Sequence, residues 1–134
     1  MDTVIADSGA LAGWFNRNDQ YHGRATAFFE RFSGRLITTW PVLTETVHLC
    51  PTHIGVKFLR WVDAGGATVS EMPPRALSII AGLVEKYQDS DMDVTDASLI
   101  WLAHTSGVLQ IITVDDDHFA AYRTPRGKGL RNLL

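Results

Sequence analysis

The stretch DVTDASLIWLAHTSGVLQIITVD, residues 93–115, decides the fold. Its apolar spacing predicts a helix over 94–105, which Gly107 ends, followed by a strand over 110–114. A strand that is apolar on both faces is typical of a parallel sheet covered by helices on both sides. Asp115 follows this strand directly, so it is expected at the carboxyl end of a buried strand.

The same alternation of short apolar strands and amphipathic helices extends over the whole chain. Further strands are predicted at 3–6, 36–39 and 67–72, and 88–93 is predicted to be a loop. Helices are predicted from Asp7-Ser8 onward, at 21–32, from Pro41 to Pro51, at 53–64, and from Pro73-Pro74 to about 87. With 134 residues, the chain is predicted to be a single α/β domain, 1–134, with a central parallel sheet between helices.

Composition excludes several classes of protein. At 46% hydrophobic and 20% charged residues, the chain is neither disordered nor a disulfide scaffold. Its net charge of −3 gives no global attraction to nucleic acid, so a polyanion would need a local basic patch or a bound metal. Cys50 is the only cysteine and is expected in the core. No apolar run is long enough for a membrane span, and a cytoplasmic location is expected.

Four acidic residues stand where strands end or helices begin: Asp7, Glu45, Asp96 and Asp115. Ligand sites of open α/β sheets lie at the carboxyl ends of the strands. Carboxylates gathered there repel one another unless a divalent cation neutralises them. A metal site is therefore predicted, although Asp96, in the first turn of a helix, could instead serve only as a cap.

Four segments carry a resemblance to a known family: VIADS (4–8), TTWPVLTE (38–45), MDVTDASLIWLA (92–103) and ITVDDDHF (112–119). Together, in this order, they resemble PIN domains, in particular the VapC-type toxin ribonucleases of toxin–antitoxin pairs. The resemblance covers the chain from end to end. It implies a PIN-like three-layer α/β/α sandwich with four to five parallel strands.

The resemblance also implies roles for individual residues. Asp7 would be a direct metal ligand, and Glu45 would complete the acidic cluster, holding the metal through water. Asp96 and Asp115 correspond to the third and fourth acids. Thr113 would orient the cluster through its hydroxyl, and Ser8 would support Asp7.

Three neighbouring residues remain ambiguous. Asp93 could be an outer acid or the N-cap of the helix that carries Asp96. Asp117 could be a fifth acid, since some members of the family carry a carboxylate just after the fourth. His118 is expected to face solvent, with a general base as the alternative.

The predicted chemistry is metal-dependent hydrolysis of RNA. Oxygen ligands with open positions suit Mg²⁺ or Mn²⁺, and such an ion activates water for attack on a phosphodiester. The implied activity is that of an endoribonuclease acting as the toxin of a toxin–antitoxin pair. The alternative is a catalytically silent PIN-like module that binds RNA or protein.

Substrate and partners are also expected from the residues and the resemblance. A basic tail could hold RNA or could be a solvated terminus: Arg123, Arg126, Lys128 and Arg131. Of the four tryptophans, Trp40 is the best candidate for stacking on an unpaired base. The resemblance implies a VapB-type antitoxin and a homodimer, with candidate surfaces near Phe28, Phe29, Phe58 and Trp61.

Overall fold

A five-stranded, all-parallel sheet organises the computed structural model, which describes residues 2–134. The strand order is β3-β2-β1-β4-β5, and every neighbouring pair is parallel. The strands are β1 Thr3–Ala6, β2 Arg35–Thr38, β3 Thr68–Val69, β4 Gln110–Ile112 and β5 Arg131–Asn132. The prediction of a parallel sheet of four to five strands is confirmed.

Helices flank this sheet, as the alternating sequence pattern predicted. They are α1 Ser8–Phe15, α2 His22–Arg31, α3 Trp40–His48, α4 Thr52–Asp63, α5 Ala76–Lys86, α6 Val94–Ser106 and α7 Asp116–Ala121, with a single 3₁₀ turn at Gln88–Ser90. Over residues 2–134, none of these helices has the length and apolar character that a bilayer crossing requires. The expected α/β/α sandwich is confirmed.

The centre of the core lies between β1 and α6. Val4, Ile5 and Ala6 have no exposed surface, because β1 is the middle strand and is covered on both faces. The α6 segment 97–103 is buried along its whole length, as expected of a helix that is apolar on all sides. Gly107 ends α6 with φ +76°, a left-handed conformation that glycine adopts without steric cost.

Several predicted boundaries differ from the structure, and three of the differences are the following. The strand predicted at 67–72 is limited to Thr68–Val69, since β3 is an edge strand with one neighbour. The helix predicted from Pro73-Pro74 begins only at Ala76. The strand predicted at 110–114 ends at Ile112, because the amide of Thr113 bonds to the Asn132 side chain at 3.1 Å instead of continuing the ladder.

Two elements near the C-terminus were not predicted. The acidic run after Asp115 forms α7, and residues 131–132 form the edge strand β5. β5 is held by backbone bonds from Arg131 N to Leu109 O and from Leu133 N to Ile111 O, each 2.8 Å. The tail is thus partly built into the sheet.

The aromatic residues proposed as candidate interfaces lie mostly inside the protein. Phe28 is 7% exposed and Phe58 is fully buried, and Phe29 stacks on Trp14 at 3.8 Å between ring centroids. Phe29 and Trp61 are only partly buried, so an interface on the helices near these four residues stays a prediction. Within residues 2–134, the large apolar side chains that are exposed are Trp40, Leu49, Val56, Leu59, Leu77 and Val94. Cys50, expected in the core, is only partly buried.

Candidate active site

An acidic cleft of about 340 Å³ opens at the carboxyl end of the sheet. β1 and β4 are more than 100 residues apart in sequence, and their parallel pairing brings their carboxyl ends together. The cleft is lined by Asp7, Ser8, Gly9, Glu45, Leu49, Asp91, Asp93, Asp96, Val114, Asp115 and His118. All four of the acids predicted to form the site are therefore brought together.

Asp7 is the most buried carboxylate of the cleft, at 6% exposure. It caps α1: its Oδ1 accepts a hydrogen bond of 2.7 Å from the Ser8 backbone N–H. Its Oδ2 accepts one of 2.7 Å from the Thr113 hydroxyl. Burial raises the pKa of Asp7 to about 6, partly offset by the bonds from Thr113 and Ser8. A carboxylate that is buried but well hydrogen-bonded is prepared to keep its charge when a cation is near.

Glu45 reaches the same place from the second turn of α3. The Ser8 hydroxyl lies between the two acids, hydrogen-bonded to Glu45 Oε1 and, at 3.3 Å, to Asp7 Oδ1. The charge of Glu45 contributes to the raised pKa of Asp7. Ser8, predicted as a supporting residue, therefore connects the first two acids.

Asp96 and Asp93 form a reciprocal capping box at the start of α6. Asp93 Oδ1 accepts from the Asp96 N–H at 2.8 Å, and Asp96 Oδ2 accepts from the Asp93 N–H at 3.3 Å. The two alternatives for Asp96 coexist, because the capping residue also lines the cleft. Burial, followed by the charges of Asp93, Asp7 and Asp115, raises the pKa of Asp96 to about 7.

Asp115 is tied to the rest of the cleft at both its backbone and its side chain. Its N–H donates to the Thr113 hydroxyl oxygen at 3.0 Å, and the same hydroxyl donates to Asp7. Its Oδ2 lies 2.8 Å from His118 Nδ1. The hydrogen bond and charge of Asp115 raise the pKa of His118.

Two ionisable lining residues, Asp91 and His118, were not predicted as part of the site. Asp91 was assigned only to a polar loop, and its φ of 55° turns the chain toward the cleft ahead of α6. His118 was expected to face solvent. It is exposed, but one turn of α7 places its side chain against that of Asp115. The Asp-x-x-His spacing could have predicted this contact, because residues three apart are neighbours on a helix.

Other predicted residues do not line the cleft. Asp117 is exposed on α7, and the lining does not include it. The basic tail residues Arg123, Arg126, Lys128 and Arg131 are exposed and outside the lining. Arg123 donates to the backbone oxygens of Ala120 at 2.7 Å and Tyr122 at 2.8 Å.

The donor chemistry of the cleft fits an open magnesium site better than a closed metal cage. Within residues 2–134, no three Asp, Glu, His or Cys side chains are spaced to enclose a metal as they stand. Mg²⁺ keeps several waters and binds through one or two carboxylates. The raised pKa values of Asp7 and Asp96 report burial and repulsion among carboxylates, which a divalent cation would offset.

Comparison with known proteins agrees with the fold. No family model matches the chain. It is 28% identical over 130 residues to Ribonuclease VapC26 of Mycobacterium tuberculosis, a match that covers 94% of this chain and 96% of the relative. Its fold is similar to the crystal structure of VapC20 from Mycobacterium tuberculosis, a sarcin–ricin loop cleaving toxin, with a TM-score of 0.80 and 18% identity over 88% of this chain and 94% of the other.

The fold and the acidic cleft define the class as a PIN-like α/β protein. Within that class, the full-length similarity to VapC26 and the shared fold with VapC20 confirm the resemblance to the VapC type.

Proposed function

We propose that this protein is a metal-dependent endoribonuclease and the toxin of a toxin–antitoxin pair. It would hydrolyse RNA phosphodiester bonds with metal-activated water at Asp7, Glu45, Asp96 and Asp115. The similarity to a named ribonuclease and to an RNA-cleaving toxin supports the class of reaction.

One observation carries the proposal: four carboxylates from four separate segments line one cleft. Burial and the charges of neighbouring acids raise the pKa of two of them, Asp7 and Asp96, well above 3.8. Carboxylates that raise one another's pKa cost stability when ionised without a cation. Such a cluster is explained most simply by binding of Mg²⁺ or Mn²⁺.

The residues of the cleft would have different roles in this reaction. Bound Mg²⁺ would lower the pKa of a water and neutralise charge on the phosphate. Asp7, oriented by Thr113 and Ser8, would hold the cation with Asp96 and Asp115. Glu45, reaching the cleft beside Ser8, would hold it through water.

The proposed partners follow from the same class. The substrate is RNA, and ribosomal RNA belongs among the candidates because VapC20 is a sarcin–ricin loop cleaving toxin. A cognate VapB-type antitoxin, a homodimer and a cytoplasmic location are proposed from the resemblance. Exposed apolar side chains such as Trp40 and Leu77, at 64% and 68% exposure, offer surfaces for these contacts. Arg123, Arg126, Lys128 and Arg131 remain candidates for holding RNA outside the cleft.

The test is cleavage of a panel of transfer, ribosomal and messenger RNAs by the purified protein without antitoxin. We expect cleavage with Mg²⁺ or Mn²⁺ that EDTA abolishes. Asp7→Asn and Asp96→Asn should each lower the rate at least about 100-fold, since each removes a charge from the metal site. Asp63→Asn, which removes an exposed carboxylate at the end of α4, is the matched control and should cleave normally.

The alternative is a catalytically silent module that binds RNA or protein. It would be supported if the folded protein bound RNA but left every member of the panel intact with either metal. Cleavage that continued in EDTA would contradict the metal mechanism while leaving the nuclease assignment in place.

A further inference from the structure

His118 lines the cleft, but the proposed chemistry gives it no role. It lies on α7, three residues after Asp115, and its Nδ1 is 2.8 Å from Asp115 Oδ2. The side chains of the pair are 46% and 41% exposed, so the contact lies at the mouth of the cleft. Both residues line it.

A buried aromatic ring lies beside the imidazole. Its ring is nearly parallel to that of Tyr122, with an interplanar angle of 10° and 6.3 Å between centroids. Tyr122 is fully buried and packs edge-on against Tyr87 and Phe119. A rigid aromatic group therefore lies behind the exposed imidazole.

The contact completes a series of hydrogen bonds along the cleft. Asp7 accepts from the Thr113 hydroxyl, Thr113 accepts from the backbone N–H of Asp115, and Asp115 pairs with His118. In the described part of the chain, no hydrogen bond reaches the other carboxylate oxygen of Asp115, Oδ1. His118 thus occupies one oxygen of Asp115 and leaves the second available.

We propose that His118 is a positioning residue that fixes the Asp115 carboxylate so that its second oxygen serves as a metal ligand. This inference rests on the proposed function, because it assumes that the cleft holds a divalent cation. Ligating carboxylates are commonly held by such hydrogen bonds, and losing one typically costs 10-fold to 100-fold in metal affinity. Without His118, Asp115 would rotate freely and would lose entropy on binding the ion.

The competing explanation is a local one. His118 and Asp115 are at the start of α7, where a side-chain contact between the N-cap and the third helical residue stabilises a helix end. A contact that served only this purpose would affect folding and leave metal binding unchanged. Metal affinity and stability must therefore be measured separately.

The experiment measures Mn²⁺ binding to the full chain by electron paramagnetic resonance of the free ion. His118→Ala should weaken Mn²⁺ binding about 10-fold or more. His118→Asn, whose side-chain amide can donate a hydrogen bond from nearly the same position as Nδ1, should recover most of it. His53→Ala, which removes an exposed imidazole from α4, is the control and should bind like the wild type. Cleavage by His118→Ala should need more Mg²⁺ and then reach nearly the wild-type rate.

Two results would overturn the inference, and they differ in what they say of the proposed function. If His118→Ala bound Mn²⁺ like the wild type and only lowered the melting temperature in EDTA, the contact would be a local cap and the nuclease would stand. If the wild type bound no more Mn²⁺ than Asp7→Asn and Asp96→Asn, the metal site itself would fail.

Discussion

At the scale of single residues, the cleft combines burial of charge with hydrogen bonds that compensate for it. Asp7 is nearly inaccessible, yet it accepts bonds from Ser8 and from Thr113. These bonds do not fully offset burial, since the pKa of Asp7 stays at about 6. The carboxylates therefore destabilise the metal-free fold, which favours cation binding.

The raised pKa values predict how stability depends on pH. A carboxyl whose pKa is higher in the folded state binds a proton more tightly there than in the unfolded chain. Its stabilising contribution is present below about pH 4 and is lost as the pH rises through the folded pKa values, about 6 for Asp7 and about 7 for Asp96. In EDTA, these groups should lower the melting temperature between pH 5 and pH 8, and Mg²⁺ should reduce that loss.

Asp7→Asn isolates the part of this effect that belongs to one residue. The difference of about 2 pKa units corresponds to at most about 3 kcal/mol at pH 8. The variant should be more stable than the wild type in EDTA at pH 8, with a smaller difference at pH 5. Denaturant unfolding at the two pH values measures it. Equal stability of the two proteins at pH 8 would show that Asp7 ionises without cost.

A second prediction at this scale concerns Thr113, whose buried hydroxyl connects Asp7 and Asp115. Thr113→Val keeps the shape but leaves an acceptor on Asp7 and the Asp115 N–H without that partner, which should cost about 1–3 kcal/mol. Thr113→Ser retains the hydroxyl and should preserve most of the cleavage rate. An active, fully stable valine variant, judged by unfolding and RNA cleavage, would contradict the orienting role.

At the scale of elements, the start of α6 has two roles. Asp93 and Asp96 cap the helix reciprocally, and both line the cleft. The helix dipole favours acidic side chains at this end, while the neighbouring acids oppose a further negative charge. The capping geometry holds Asp96 in the cleft in spite of that repulsion.

Substitution of Asp93 separates capping from catalysis. Asp93→Ala should cost about 1 kcal/mol of stability, the usual value of an N-cap, and should lower cleavage less than Asp96→Asn does. Asp93→Asn keeps a capping oxygen and should restore stability. If Asp93→Asn were as inactive as Asp96→Asn, the charge of Asp93 would belong to the metal site.

The elements also show what the sequence can and cannot predict. Strands β1, β2 and β4 and helices α1 to α6 follow from apolar periodicity and from terminators such as Pro51 and Gly107. The strand at β3 was predicted but too long, and the short β5 and the acidic α7 were not predicted, because two to six residues carry too little periodic signal. Asp91 and His118 escaped prediction for a related reason: their places in the cleft depend on a positive φ and on a helix that the sequence does not indicate.

At the scale of the whole molecule, the strand order of the parallel sheet brings the site residues together. β1 and β4 are neighbours, so the acids that follow them meet at one edge although 106 residues separate Asp7 from Thr113. The exposed basic residues of the tail lie outside this cleft, and the net charge is −3. A phosphate that approaches the carboxylates therefore meets no lysine or arginine in the lining, which makes a bound cation central to the proposed reaction.

The most direct measurement is cleavage of the RNA target by the metal-loaded protein, with a 2′-deoxy sugar placed at the cut position. If an activated water attacks the phosphate, the deoxy substrate is still cut, EDTA stops the reaction, and neither substrate yields a 2′,3′-cyclic phosphate. Loss of cleavage on the deoxy substrate, together with a cyclic phosphate product that forms equally well in EDTA, would contradict metal-dependent hydrolysis at the acidic cleft.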